Sequence, residues 1–172
     1  MIRFTISINK IYILTIILYE RVYMWINITV SCDVKPTEDE DKVMLALKNI
    51  FTPEKIEIDI LGDKKIIRAL SSSIKSLKSF YFLIRHQKIL DVTRRYLFKG
   101  ISGNMVVFSV NKQAAFMKKI SFCDFSERES PLGPITFTIL FKNSRDLRIF
   151  IEWLAPKTIN GKPIREIEIE DP

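Results

Sequence analysis

The chain has 172 residues, 47 % of them hydrophobic, with 27 Lys and Arg against 20 Asp and Glu and a formal charge of +7. That is enough apolar material for one self-supporting core and too much for a disordered chain. Five Gly and seven Pro exclude collagen-like and low-complexity repeats. No Walker A loop, Rossmann glycine fingerprint, zinc-ligand spacing or nucleophile elbow is present, so the sequence names no reaction.

Residues 1–24 hold Arg3, Lys10, Arg21 and an apolar run from Ile11 to Tyr19. The run is shorter than the roughly 20 residues a spanning helix needs, and Tyr19-Glu20-Arg21 is no signal cleavage site. The simplest account is an extension outside the fold, as from a start assigned too far upstream, with Met24 directly before the first strand. A weak membrane-surface anchor or an extra strand are the other accounts. From Trp25 to Val34, apolar side chains alternate as in a half-buried strand. Thr37 with Glu40 reads as a capping box for a helix running to about Phe51, with Val43, Leu47 and Ile50 inward. Helix capping also accounts for the acids Glu38 to Asp41 without a metal. Ile56, Ile58 and Ile60 predict a second strand, broken at Gly62-Asp63 before a short one from Ile66 to Leu70.

Ser71 to Ser73 then start a long helix, or two consecutive ones, ending near Gly100, with Leu83, Leu90 and Leu97 on its core face. Met105 to Val110, Lys119 to Cys123 and Ile135 to Phe141 read as strands. The run Asn111 to Phe116 reads as a polar turn, and Ser130 to Pro134 as a rigid loop. Arg145 to Leu154 predicts an amphipathic helix burying Leu147, Phe150, Ile151 and Leu154. Ile164 to Ile169 reads as an edge strand whose Glu166, Glu168 and Glu170 deter aggregation. Loops too short for parallel crossovers imply one α+β domain over 25–172, with a mainly antiparallel sheet and two or three helices packed on one face.

Charge is segregated along the chain. Residues 73–123 hold ten bases and one acid, Asp91, whereas the stretches on either side (25–72 and 124–172) each hold seven bases and nine acids. On a continuous helix Lys78, Arg85, Lys88, Arg95 and Lys99 fall within an arc of about 100°. Five like charges on one face repel one another, so folding alone gives no reason for them, and a polyanion partner does. A lysine-rich surface neutralised by acids from the flanks is the competing account.

The remaining candidates have plainer readings. His86 is flanked by bases and reads as a surface residue. Cys32 and Cys123 read as buried, separate thiols of a reducing, cytoplasmic protein. One histidine and two distant cysteines make no usual zinc site, so neither metal, cofactor nor catalytic residue is expected. Gly100-Ile101-Ser102-Gly103 matches the GxxG loop that clamps nucleic-acid backbone, and equally a helix cap followed by a turn. Of the aromatics among the bases (Tyr81, Phe82, Tyr96, Phe98, Phe116), Phe116 alone is expected to be exposed.

Arg85-x-Gln87-x-Ile89-Leu90-Asp91, Asn111 to Phe116, Ser130 to Ile135 and Trp153 to Pro156 together resemble an archaeal family of small uncharacterised proteins of the UPF type. That family is grouped with RNA-binding domains linked to the archaeal exosome, and its fold resembles the ribosomal protein that binds 5S RNA. The resemblance implies RNA as the partner and carries over no catalytic residue. The nucleic-acid contacts expected are Lys78, Arg85, Lys88, Arg94, Arg95, Lys99, Lys112, Lys118 and Lys119 on phosphate, with Asn111 and Gln113 on bases or 2′-hydroxyls. For the two amides, satisfying backbone groups beside the turn is an equal account. A protein-interaction module is the alternative, the same face docking an acidic partner or a second copy as a homodimer.

Overall fold

The computed structural model describes residues 25–124 and 132–169. The N-terminal extension read from the sequence therefore lies outside the described residues, as do Ser130, Pro131 and Glu170. β1 (Ile26–Val34) buries Ile26, Ile28, Val30 and Cys32 on one face, as alternation requires. α1 (Glu40–Ile50) is capped two residues later than Thr37 predicts. The Asp39 carboxylate accepts from the Asp41 and Lys42 backbone N–H groups, and Glu38 points elsewhere. Val43, Ala46, Leu47 and Ile50 are buried.

β2 (Lys55–Leu61) and β3 (Lys64–Ser71) form the expected hairpin, turning through Gly62 at φ +61°. Ser73 caps one 3₁₀ turn, Ile74–Leu77, before α2 (Lys78–His86) and α3 (Leu90–Lys99). The long basic helix is thus two helices. Lys88 sits at φ +57° between them, and Ile89 N–H returns to the Ile84 carbonyl at 3.0 Å. The break rotates α3 out of register with α2, so the single 100° arc of bases does not form.

α3 ends at Gly100, where a Cβ would stand 1.8 Å from the Val107 carbonyl oxygen. This close approach, together with Gly103 at φ +61° in the turn between β4 (Ile101–Ser102) and β5 (Met105–Asn111), accounts for both glycines of the GxxG match. The expected polar turn after β5 contains a one-turn helix, α4 (Lys112–Phe116), because Asn111 Oδ1 accepts from Ala114 N–H and closes it. The strand expected at 119–123 is reduced to one bridge between Val110 and Phe122. β6 (Pro134–Phe141) and α5 (Ser144–Leu154, capped by Asn143) follow the sequence reading. The tail forms a small hairpin of β7 (Thr158–Ile159) and β8 (Lys162–Pro163), and no strand spans Ile164 to Ile169.

The sheet runs β2-β3-β1-β6-β5-β4, every neighbouring pair antiparallel. All five helices of the described residues send side chains into one core with the inner face of this sheet, where Phe108 stacks on Phe137 at 4.8 Å and Phe80 meets Phe137 at 5.3 Å. The α+β class and antiparallel sheet hold. The expected two or three helices become five, since the long helix divides and α4 occupies what reads as a turn. On the outer face Thr29 stands opposite Thr138 and Ser31 opposite Thr136, a half-buried hydroxyl patch.

Candidate nucleic-acid interface

Three bases of the 73–123 stretch turn inward. Arg85 projects from α2 to the last turn of α5, donating to the carbonyls of Leu154 (3.0 Å) and Trp153 (3.1 Å). Its guanidinium also pairs with Glu166 at 2.8 Å and lies 3.4 Å above the Tyr81 ring. The last carbonyls of a helix lack intrahelical donors and carry the negative end of its dipole, so a cation there satisfies both. Arg94, one helix on, donates to the Ala155 carbonyl at 2.9 Å and pairs with Glu152 at 2.5 Å. Lys112 is 3 % exposed. Its ammonium donates to the Asp33 carbonyl (2.6 Å), Glu38 Oε2 (2.8 Å) and the Leu132 carbonyl (2.8 Å), which uses all three protons. These three residues join the ends of the fold instead of facing a phosphate, which corrects the expectation for each of them.

Lys88, Arg95, Lys118 and Lys119 are exposed, and none has an ion-pair partner among the described residues. Gln87 joins the segments that carry three of them. Its side-chain amide donates to the Ile120 carbonyl at 3.0 Å and accepts from Ile120 N–H at 2.7 Å. This two-bond clasp binds the α2–α3 junction, which carries Lys88, to the segment that carries Lys118 and Lys119. Lys99 is exposed and pairs with Asp124 at 2.5 Å, while Lys78 lies at the far end of α2 from the clasp, roughly 13 Å along the axis. Asn111 is the cap of α4, and Gln113 on the same turn faces solvent. The clasp therefore joins the two segments that carry Lys88, Lys118 and Lys119, and Lys78 lies apart from it.

Aromatic placement differs from the sequence reading. Phe116 is exposed as expected, but Phe82 and Phe98 are exposed too, at 56 % and 49 %. Arg94 covers part of Phe98, its guanidinium 5.0 Å from the ring. Tyr96 stacks on Phe122 at 4.7 Å and Tyr81 on Trp153 at 5.0 Å, so both are committed to packing. Burial pushes the Cys32 thiol up to about 12, which keeps it protonated and unreactive. Both cysteines are buried thiols outside any disulfide, and His86 lies on the surface. Among the described residues no His, Cys, Asp and Glu cluster suits a metal ion, and no helix is long and apolar enough to cross a membrane.

Sequence reasoning misses the Glu38–Lys112 pair, 74 residues apart in the chain. The Glu38 side chain is only 8 % exposed and accepts from the Lys35 N–H at 2.9 Å as well, whereas its place in the chain reads as part of a helix cap. A groove of about 420 Å³ lies beside this pair, between α1, α4 and Leu132.

A helix-backed antiparallel sheet of this topology defines a class of small α+β proteins with solved archaeal members. The UPF0201 protein of Methanococcus jannaschii superposes with a TM-score of 0.69 at 31 % identity, covering 81 % of this chain and 99 % of that one. Mth689 of Methanothermobacter thermautotrophicus, a DUF54 protein, shares the fold at a TM-score of 0.54 and 18 % identity, over 74 % of this chain and 96 % of its own. Residues 27–141 match the family model described as RNA binding, and the chain belongs to that family. Its relatives include UPF0201 proteins of Sulfurisphaera tokodaii, 45 % identical over 81 % of this chain and 93 % of the relative, and of Metallosphaera sedula, 42 % identical over 80 % and 92 %.

Proposed function

We propose that the protein binds RNA without acting on it chemically, holding phosphates with Lys88, Lys118, Lys119 and Arg95, and that Gln113 supplies a hydrogen bond to base or ribose. The observation that carries this reading is the group of exposed lysines around the Gln87–Ile120 clasp, which meets no carboxylate among the described residues. Membership of a family described as RNA binding supports it independently of charge. Exposed cations without counter-charges attract a polyphosphate, whose binding is favoured by release of its own counterions.

The test is a titration of RNA in about 50 mM and about 300 mM salt. Micromolar or tighter affinity that weakens steeply with salt supports the reading, and no binding at the lower concentration removes it. Exposed Phe82 and Phe98 favour a second reading, docking of a protein partner. A pull-down after nuclease treatment separates the two, since a protein complex survives the nuclease and an RNA bridge does not.

A further inference from the structure

The groove between α1 and α4 has an apolar end and an acceptor end. Phe116 and Met117 are exposed at 39 % and 67 %, and with Val43 and Ala46 they line one end. Core packing does not explain two large apolar side chains left in solvent at the end of α4. That turn is held rigidly, because the Asn49 amide donates to the carbonyls of Ala115 (3.2 Å) and Phe116 (2.9 Å). Directly after Met117 the chain continues into Lys118 and Lys119, both exposed.

The other end carries Asp39 and Glu38, with exposed Lys42 between them and Val43. Glu38 is neutralised by Lys112, whose protons are all committed. Asp39 gives Oδ1 to the start of α1, and no hydrogen bond among the described residues occupies its Oδ2. A phosphate is repelled from this carboxylate and attracted to the lysines, whereas an amino group is attracted to it. The two ends therefore fix the direction in which a nucleotide fits.

We propose that this groove takes one unpaired base of a single-stranded RNA, stacked on Phe116, with its flanking phosphates on Lys118 and Lys119 and its amino edge toward Asp39. The proposal rests on the RNA-binding reading and adds strandedness and base preference to it. A base in a duplex is sandwiched between neighbours and cannot reach the ring, while an unpaired base can. Cytosine presents an amino donor where uracil presents an oxygen acceptor, so the Asp39 carboxylate favours cytosine over uracil.

The experiment measures fluorescence anisotropy of labelled oligocytidylate, oligouridylate (each about twelve nucleotides, within the span of a small binding module) and an RNA duplex of the same length, at low salt. The wild type binds oligocytidylate more tightly than oligouridylate or duplex. Phe116→Ala weakens oligocytidylate binding about tenfold and leaves duplex binding unchanged, and Phe116→Tyr restores it. Asp39→Asn keeps the helix cap, since Asn serves there as well as Asp, and reduces the cytosine preference. Circular dichroism checks that each variant is folded, and the Asp39→Asn arm stands if Phe116→Ala is not.

Unchanged oligocytidylate affinity in Phe116→Ala, or an unchanged cytosine preference in Asp39→Asn, overturns the groove assignment while RNA binding itself stands. A change in sedimentation in Phe116→Ala without a change in RNA affinity makes the groove a protein interface and overturns the assignment likewise. Absence of any RNA binding by the wild type ends both readings.

Discussion

Arg94 and Arg95 are adjacent in the chain, yet one ends on the Ala155 carbonyl and Glu152 while the other ends in solvent. The same division runs through most of the basic stretch. Arg85, Arg94 and Lys112 tie α2, α3 and α4 to the end of α5, to the last residues of β1 at Asp33 and to the loop at Leu132. Lys88, Arg95, Lys118 and Lys119 form no such tie within the described residues. Seven of the ten bases therefore divide between two different jobs, fastening the fold and presenting charge, and only the second bears on a polyanion.

Variants that separate those jobs differ in size of effect. Lys112→Met strips the counter-charge from a buried carboxylate and orphans two carbonyls, and it should cost about 3–5 kcal/mol in urea unfolding. The RNA affinity of the folded fraction should not change. Gly100→Ala forces a methyl against the Val107 carbonyl and should cost about 1–3 kcal/mol by the same measurement. Arg85→Met releases two α5 carbonyls and Glu166. Because the guanidinium is partly solvated, a loss of about 1–2 kcal/mol is expected in thermal unfolding, again with RNA affinity retained. Lys118→Glu with Lys119→Glu should move stability by no more than about 0.5 kcal/mol and weaken RNA binding at low salt more than tenfold. A variant of the first group that loses RNA affinity while folded, or one of the second that unfolds the protein, breaks the division.

Cys32 gives the smallest and most local test. Its thiol titrates at about 12 when folded and at 9.0 in an exposed chain, because burial disfavours the thiolate. The folded state therefore holds the proton more tightly. The associated stability is complete below pH 9 and is lost as pH rises from 9 toward 12. At about pH 8, below both values, a thiol reagent should label Cys32 only as fast as the protein opens, and rapid labelling of the folded chain contradicts that burial.

What the sequence reveals and conceals follows the reach of each interaction. The alternation of Ile26, Ile28, Val30 and Cys32, the turn at Gly62 and the inward stripe Leu147, Phe150, Ile151 and Leu154 are local patterns, and each lies where it is expected. Two consecutive helices are one of the sequence readings, but the place of the break is hidden because the left-handed residue is Lys88 and carries no glycine signal. The α4 turn is hidden because one hydrogen bond from Asn111 sets it, not a hydrophobic period. For the candidate site, composition gives the number of cations and not their direction. Arg85 meets carbonyls 68 and 69 residues away and Lys112 a carboxylate 74 residues away, distances no local pattern encodes. The edge strand expected at Ile164 to Ile169 does not form, and Glu166 in that segment reaches Arg85, 81 residues away.

The most direct measurement of this division is the slope of log affinity against log salt for RNA binding. It is compared among the wild type, a triple variant with Lys88, Lys118 and Lys119 each changed to Ala, and Arg85→Met. The account predicts a slope shallower by about 2 in the triple variant, since each phosphate of a single strand that is no longer neutralised removes about 0.7, and the wild-type slope in Arg85→Met. A triple variant with the wild-type slope, or an Arg85→Met protein with a shallower one, contradicts it.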